Sequence, residues 1–223
     1  MIDLLRGQVV RAVRGERAAY RPVESSLVAG GDPCAVAAAL LARVPQAAGA
    51  AARLYVADLD ALQGGRPQVD ALRALLRARP GLALWVDAGF ADGAAADALA
   101  AAVGVTPGER DRLRFVFGSE SLASRAALAE VAARPGAILS LDARQARPLA
   151  PAGCWEAPGL WPATVIVMTL DRVGSGAGPD LATFARLRAR APDRRWIGAG
   201  GVRAAAAAWL VASALHDGTL VGG

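Results

Sequence analysis

The chain has 223 residues, 54% of them hydrophobic, which excludes a disordered polymer and supplies enough apolar surface for one domain with a sizeable core. Two cysteines, Cys34 and Cys154, exclude a disulfide scaffold and fit a reduced, cytoplasmic protein. The formal charge of +5 comes from 25 arginines and no lysine, a compositional bias and not a nucleic-acid footprint, because no stacking aromatics interleave with the basic residues.

A mean hydropathy of +0.33 raises the question of a membrane. The longest apolar stretch, Ala204 to Leu215, is broken by Ser213 and falls short of the roughly 20 residues that a spanning helix needs. Asp3 and Arg6 near the start are incompatible with a signal-peptide core. A cytoplasmic protein without membrane or nucleic-acid partners is expected.

In chain order, Ile2 to Leu4 gives a first strand and Leu54 to Ala57 a second. Val69, Leu72, Leu75 and Leu76 follow at helical spacing, with arginines on the other face. A third strand, Leu82 to Val86, precedes a helix over 91–103, and a fourth, Leu113 to Phe117, precedes a helix over 122–133. Strands five to eight are Ala137 to Leu141, Thr164 to Met168, Trp196-Ile197 and Trp209 to Val211. Continuous apolar runs of this length mark strands buried on both faces, and alternation with helices marks right-handed βαβ units.

Eight such units predict a single α/β domain over 1–223, a (β/α)8 TIM barrel. The chain is shorter than most barrels, and the shortage falls after strand five, at Gly153 to Pro162, and after strand seven, at Val202 to Trp209, where the helices are expected to be short or degenerate. An open doubly wound sheet is the weaker alternative, as no GxGxxG follows the first strand. The sequence also repeats by halves. Asp3 parallels Asp142, Val86 to Phe90 parallels Gly198 to Val202, and Phe117-Gly118-Ser119 parallels Val211-Ala212-Ser213.

Barrel chemistry sits at the C-terminal ends of the strands. Asp58, Asp60, Asp87, Ser119, Asp142, Thr169, Asp171 and Ser213 fall there. A ring of carboxylates in an apolar bowl suits acid–base work, since burial and neighbouring charge move their pKa values toward neutrality. For Asp58, Asp60 and Asp171, capping of the following helix is an equal explanation. Asp3 and Asp142 face each other from opposite halves and are expected to exchange protons with a substrate, with Thr169 polarising a substrate oxygen. The turn around Gly198, Gly200 and Gly201, with Ala212 and Ser213 after strand eight, has the glycines and helix start of a phosphate site. Asp87 stands where a second phosphate cradle would want glycine, so one phosphate is expected and not two. Asp58, Asp87, Ser119, Arg144, Asp171 and Arg172 are further candidates for substrate contact. His216, the single histidine, excludes multi-histidine metal sites, and no metal or cofactor is expected.

Ile2-Asp3-Leu4-Leu5-Arg6-Gly7, Tyr55-Val56-Ala57-Asp58-Leu59-Asp60, Leu139-Ser140-Leu141-Asp142-Ala143-Arg144 and Ile197-Gly198-Ala199-Gly200-Gly201-Val202 resemble the barrel enzymes of histidine biosynthesis, ProFAR isomerase and the imidazole glycerol phosphate synthase cyclase. The resemblance implies a half-barrel repeat, paired phosphate sites and two essential aspartates matching Asp3 and Asp142. At Arg172-Val173-Gly174-Ser175 it departs from the family's Arg-Asp-Gly-Thr, placing Val173 where the isomerase has a second carboxylate. With Trp161-Pro162, that departure resembles the isomerase-related branch of methanogens and methylotrophs, which is associated with one-carbon cofactor synthesis (methanopterin or methanofuran). The expectation is an isomerase or lyase acting on a phosphorylated small metabolite. Authentic ProFAR isomerase is the first alternative. A non-catalytic barrel, binding a phosphorylated ligand or forming a homodimer through the wall near strands seven and eight, is the second.

Overall fold

Short runs of leucine, isoleucine and valine, too brief for helices, pair into a sheet because side chains that alternate along a strand can bury both of its faces. The computed structural model describes residues 1–11, 20–23, 28–42, 52–175, 177–201 and 209–210. Eight parallel strands succeed one another in chain order: β1 (Ile2–Leu5), β4 (Ala52–Asp58), β5 (Leu82–Asp87), β6 (Leu113–Gly118), β7 (Ile138–Arg144), β9 (Thr164–Thr169), β10 (Arg195–Ala199) and β11 (Trp209–Leu210). A doubly wound sheet reverses its strand order at the middle. None of these neighbours is out of sequence, so the sheet curls as the predicted (β/α)8 barrel. No described helix is long and apolar enough to cross a membrane.

Two apolar layers follow from the alternation. Tyr55, Trp85, Val116, Ile138, Ile166 and Ile197 fill one cluster inside the sheet. Leu4, Val56, Leu84, Leu139 and Val165 belong to a second, under the helices. Those helices are α1 (Pro33–Leu41), α3 (Val69–Ala78), α4 (Gly93–Val103), α5 (Arg125–Ala133) and α6 (Leu181–Arg188). Asp32, Asp92, Ser124 and Asp180 start α1, α4, α5 and α6 by accepting a backbone N–H three residues on. Gly104 ends α4 at φ 70°, a conformation that costs glycine little. Helix α3 buries Leu72, Leu75 and Leu76, and its Arg73 donates to the carbonyls of Ala102 and Val103 at the end of α4.

The helix after the fifth barrel strand, β7, is degenerate as expected. Only 3-10 turns at Cys154–Glu156 and Pro158–Leu160 occupy its place. Aromatic rings replace the missing helix. Trp161 packs edge-on against Trp196 with centroids 5.4 Å apart, and its indole N–H donates to the Cys154 carbonyl at 2.8 Å. Arg190 lies over the Trp161 ring and donates to the Trp155 carbonyl. The expected short helix after strand seven lies in 202–208, outside the described residues.

The half-barrel repeat is written in the backbone. Strand β1 turns into the antiparallel β2 (Gln8–Arg11) through Arg6 and Gly7, at φ 51° and 78°, and β2 pairs in turn with β3 (Arg21–Pro22). Strand β7 turns into β8 (Arg147–Pro148) through Gln145 and Ala146, at φ 50° and 59°. Two positive φ values at the centre of a two-residue turn suit the twist of a hairpin but are costly for side chains other than glycine. Each turn is held by an aspartate from the next barrel strand's loop. Arg6 N–H donates to Asp60 and Gln145 N–H to Asp171, both at 2.9 Å. The strand pattern does not reveal these hairpins, because their return strands are only two to four residues long.

Trp155 offers a contrast with Trp161, since its buried indole N–H has no partner among the described residues. Losing a satisfied hydrogen bond should cost more than losing an orphan donor. Urea denaturation is expected to show Trp161→Phe about 1–2 kcal/mol less stable than Trp155→Phe.

Candidate functional site

The register of the strands sets the level of the site. Asp3 pairs with Ala57, which pairs with Asp87, the last residue of β5. In the other half, Asp142 pairs with Met168, which pairs with Ala199, the last residue of β10. Asp3 and Asp142 therefore hold equivalent places, as the sequence repeat suggests. Both face an open cavity of about 490 Å³ at the C-terminal ends of the strands. Four carboxylates line it, Asp3, Asp87, Glu120 and Asp142, together with Tyr55 and Arg144. Its apolar wall includes Ala57, Leu59, Met168, Leu170 and Val173.

Asp142 is the most heavily built of these groups. It is 4% exposed. Ser140 donates to its Oδ1 at 2.6 Å, while Ser119 Oγ and Glu120 N–H approach Oδ2 only to 3.4 Å. Ser119 is committed to backbone, since its Oγ accepts the Asp142 N–H at 2.9 Å and donates to the Leu149 carbonyl at 2.7 Å. This serine fixes Asp142 and does not reach into the cavity for a substrate. Burial, and next the charge of Asp87, push the Asp142 carboxyl well above the usual carboxylate range, against the opposing pull of the Ser140 hydrogen bond.

Asp87 stands close by on β5. Its Oδ2 accepts the Tyr55 hydroxyl at 2.9 Å and its Oδ1 accepts the Gly89 N–H at 3.2 Å. Burial, then the charges of Asp87 and Asp142, raise the Tyr55 phenol well above its ordinary value, so it stays a donor. Gly118 makes the approach of the two aspartates possible. A Cβ there would stand 3.1 Å from Asp142 Oδ2 and 3.9 Å from Asp87 Oδ2.

Other candidates hold backbone. Asp58, fully buried, caps α2 (Leu59–Leu62) at Ala61 and accepts the Gln68 N–H and side-chain amide. Asp171 pins the β7–β8 turn, and Arg172 donates to the carbonyls of Gly178 and Pro179. Thr169 is buried at the end of β9, but the β9 residue in the cavity wall is Met168. Gly198 lies in β10, and Gly200 and Gly201 follow its end, with φ 97° and 74°. A Cβ at Gly200 would meet the Thr169 carbonyl oxygen at 2.5 Å, and one at Gly201 the Gly178 carbonyl oxygen at 2.5 Å. Close packing of backbone thus requires these glycines independently of any anion. Ala212, Ser213 and His216 lie outside the described residues.

Tyr55 and Glu120 were not legible as site residues. Tyr55 sits inside an apolar run, and its one signal is its spacing of two from Ala57, which puts it on the inner face. Glu120 follows a strand end, where a surface role is the ordinary reading. Val173 does stand in the cavity wall, 3% exposed.

Across its whole length, residues 1–223, the chain matches a family model described as "Histidine biosynthesis protein". A search of curated proteins finds no match.

The raised Asp142 carboxyl has a consequence for stability. Its folded pKa lies above its unfolded one, so the folded state binds the proton more tightly and stability falls as pH rises from the unfolded value through the folded one. Asp142→Asn removes that penalty and keeps an acceptor for Ser140. Thermal melts are expected to show the variant at least as stable as the parent at pH 8, with the difference closing toward pH 4.

Proposed function

Since the chain belongs to the histidine biosynthesis protein family, whose members are generally barrel enzymes, we propose that it is an acid–base enzyme for a small phosphorylated metabolite. The reaction class is isomerisation, cyclisation or elimination. The observation that carries this reading is the placement of Asp3 and Asp142 at equivalent register positions around one cavity. Asp142, buried and holding its proton, is the acid; Asp3 is the base. Asp142 gives its proton to the substrate and becomes a carboxylate, while Asp3 takes the proton that the substrate loses. Positioned transfers of this kind contribute about 10²- to 10⁴-fold to rate.

The second half-barrel's glycine turn is the phosphate subsite. Gly200 and Gly201, at φ 97° and 74°, are the backbone that would approach the anion, as glycine-rich turns do in anion-binding nests. In the first half the equivalent turn is already served from within, because Asp87 Oδ1 accepts the Gly89 N–H. An internal carboxylate there repels a second phosphate, which favours a singly phosphorylated substrate. Val173 in the cavity wall favours the same conclusion, since the bisphosphorylated ProFAR reaction is associated with a carboxylate at that place. A role in one-carbon cofactor synthesis accords with the resemblance of the 172–175 loop.

Two measurements test the reading. Inorganic phosphate is expected to raise the melting temperature saturably, and Ala199→Asp, which copies the Asp87 arrangement into the second half, is expected to abolish the shift. Purified protein is expected to leave ProFAR unconverted. Conversion that disappears in Asp142→Asn would establish the isomerase instead, and a folded protein indifferent to phosphate would sink the proposed substrate class.

A further inference from the structure

The cavity holds a group that the acid–base pair does not use. Asp87 is 7% exposed and points its carboxylate at the same space as Asp142. Hydrogen bonds to a carboxylate favour its charged form, and Asp87 receives two, from the Tyr55 hydroxyl and the Gly89 N–H. Asp142 Oδ2 is differently placed, with neighbours only at 3.4 Å and the Gly118 Cα, in place of a side chain, beside it. Two carboxylates that face one another cannot both ionise without cost. Ser140 holds the far oxygen of Asp142 at 2.6 Å, but of the two facing oxygens Asp87 Oδ2, with the Tyr55 hydroxyl at 2.9 Å, is better stabilised as an anion than Asp142 Oδ2, whose donors stand at 3.4 Å.

We propose that Asp87 is a positioning residue that acts through Asp142: fixed as a carboxylate by Tyr55 and Gly89, it holds a proton on Asp142 Oδ2 and thereby makes Asp142 the acid. The assignment of that proton to catalysis rests on the function proposed above. Every charged or titratable neighbour of Asp142 in the cavity bears on it. Asp3 on β1 and Glu120 after β6 add negative charge; Arg144 on β7 adds positive charge, as does the Met1 α-amino group when protonated, its pKa lowered by burial to about 6; Tyr20 and Tyr55 bring phenol groups, and Cys154, outside the lining, is a neutral thiol. Glu120 acts in the same sense as Asp87 but ranks behind it. The pair therefore titrates as a unit, with Asp87 as the member that stays charged.

The test is a carbon-13 NMR titration of the full chain labelled at the aspartate carboxyl carbons, with the Asp142 resonance identified by its loss in Asp142→Asn. In the parent protein Asp142 is expected to titrate above the ordinary carboxylate range. In Asp87→Asn, which keeps the shape and removes the charge, its midpoint is expected to fall by about one pH unit or more. Glu120→Gln is expected to lower it less. Tyr55→Phe, the second variant should Asp87→Asn fail to fold, is expected to raise the Asp87 midpoint and lower that of Asp142. An Asp142 midpoint within the ordinary range, one unmoved by Asp87→Asn and Tyr55→Phe, or one moved further by Glu120→Gln than by Asp87→Asn overturns the proposal. No substrate enters the titration, so absent turnover and an unmoved midpoint remain separate results.

Discussion

Like charge gathered in one cavity is the constraint on which this site depends. Asp3, Asp87, Glu120 and Asp142 share one cavity, and Coulomb repulsion between carboxylates strengthens as water is excluded. The surroundings answer that repulsion residue by residue. Gly118 withholds a side chain where Asp87 and Asp142 converge, Ser140 and Ser119 fix Asp142 from its own strand and the next, and Tyr55 and Gly89 stabilise Asp87. Burial raises Asp142 further, so the same packing that builds the barrel shifts this carboxyl toward its protonated form.

The two halves use one backbone device for different chemistry. In each, a barrel strand carries an inward aspartate, turns through two residues of positive φ, and is held by an aspartate from the next strand's loop. The hairpins and their pins are equivalent in register, while the side chains at the third strand of each half are not. Asp87 occupies the first half and Ala199 the second. A single difference in an otherwise repeated frame thus puts a carboxylate against the backbone N–H of Gly89 in the first half and a methyl group at the equivalent place in the second. The strained turns are affordable because Asp60 and Asp171 accept N–H groups that the hairpins would otherwise leave to solvent.

A barrel short of a helix must cover its sheet by other means. After β7 the cover is aromatic, with Trp161 packed on Trp196 under Arg190 and the buried Trp155 under Arg186. Rings supply large apolar area from few residues, which suits a segment of ten residues that cannot form a helix of useful length.

The sequence by itself determined the eight strands, the half-barrel repeat, the missing helix after β7 and the pairing of Asp3 with Asp142. Those features follow from local periodicity and from runs of apolar residues, which the chain carries wherever it is read. It left Asp58 and Asp171, which hold backbone, as candidates for substrate contact beside Asp87, which faces the cavity, because all three stand at or just after strand ends in equally polar company. Nor did it reveal Tyr55 or Glu120, the cramped berth at Gly118, or the turn whose N–H Asp87 occupies. Those were decided only by the tertiary structure, since whether a carboxylate caps a helix or confronts another carboxylate depends on register and curvature between strands distant in the sequence, and hydrogen-bond distance has no counterpart in linear spacing.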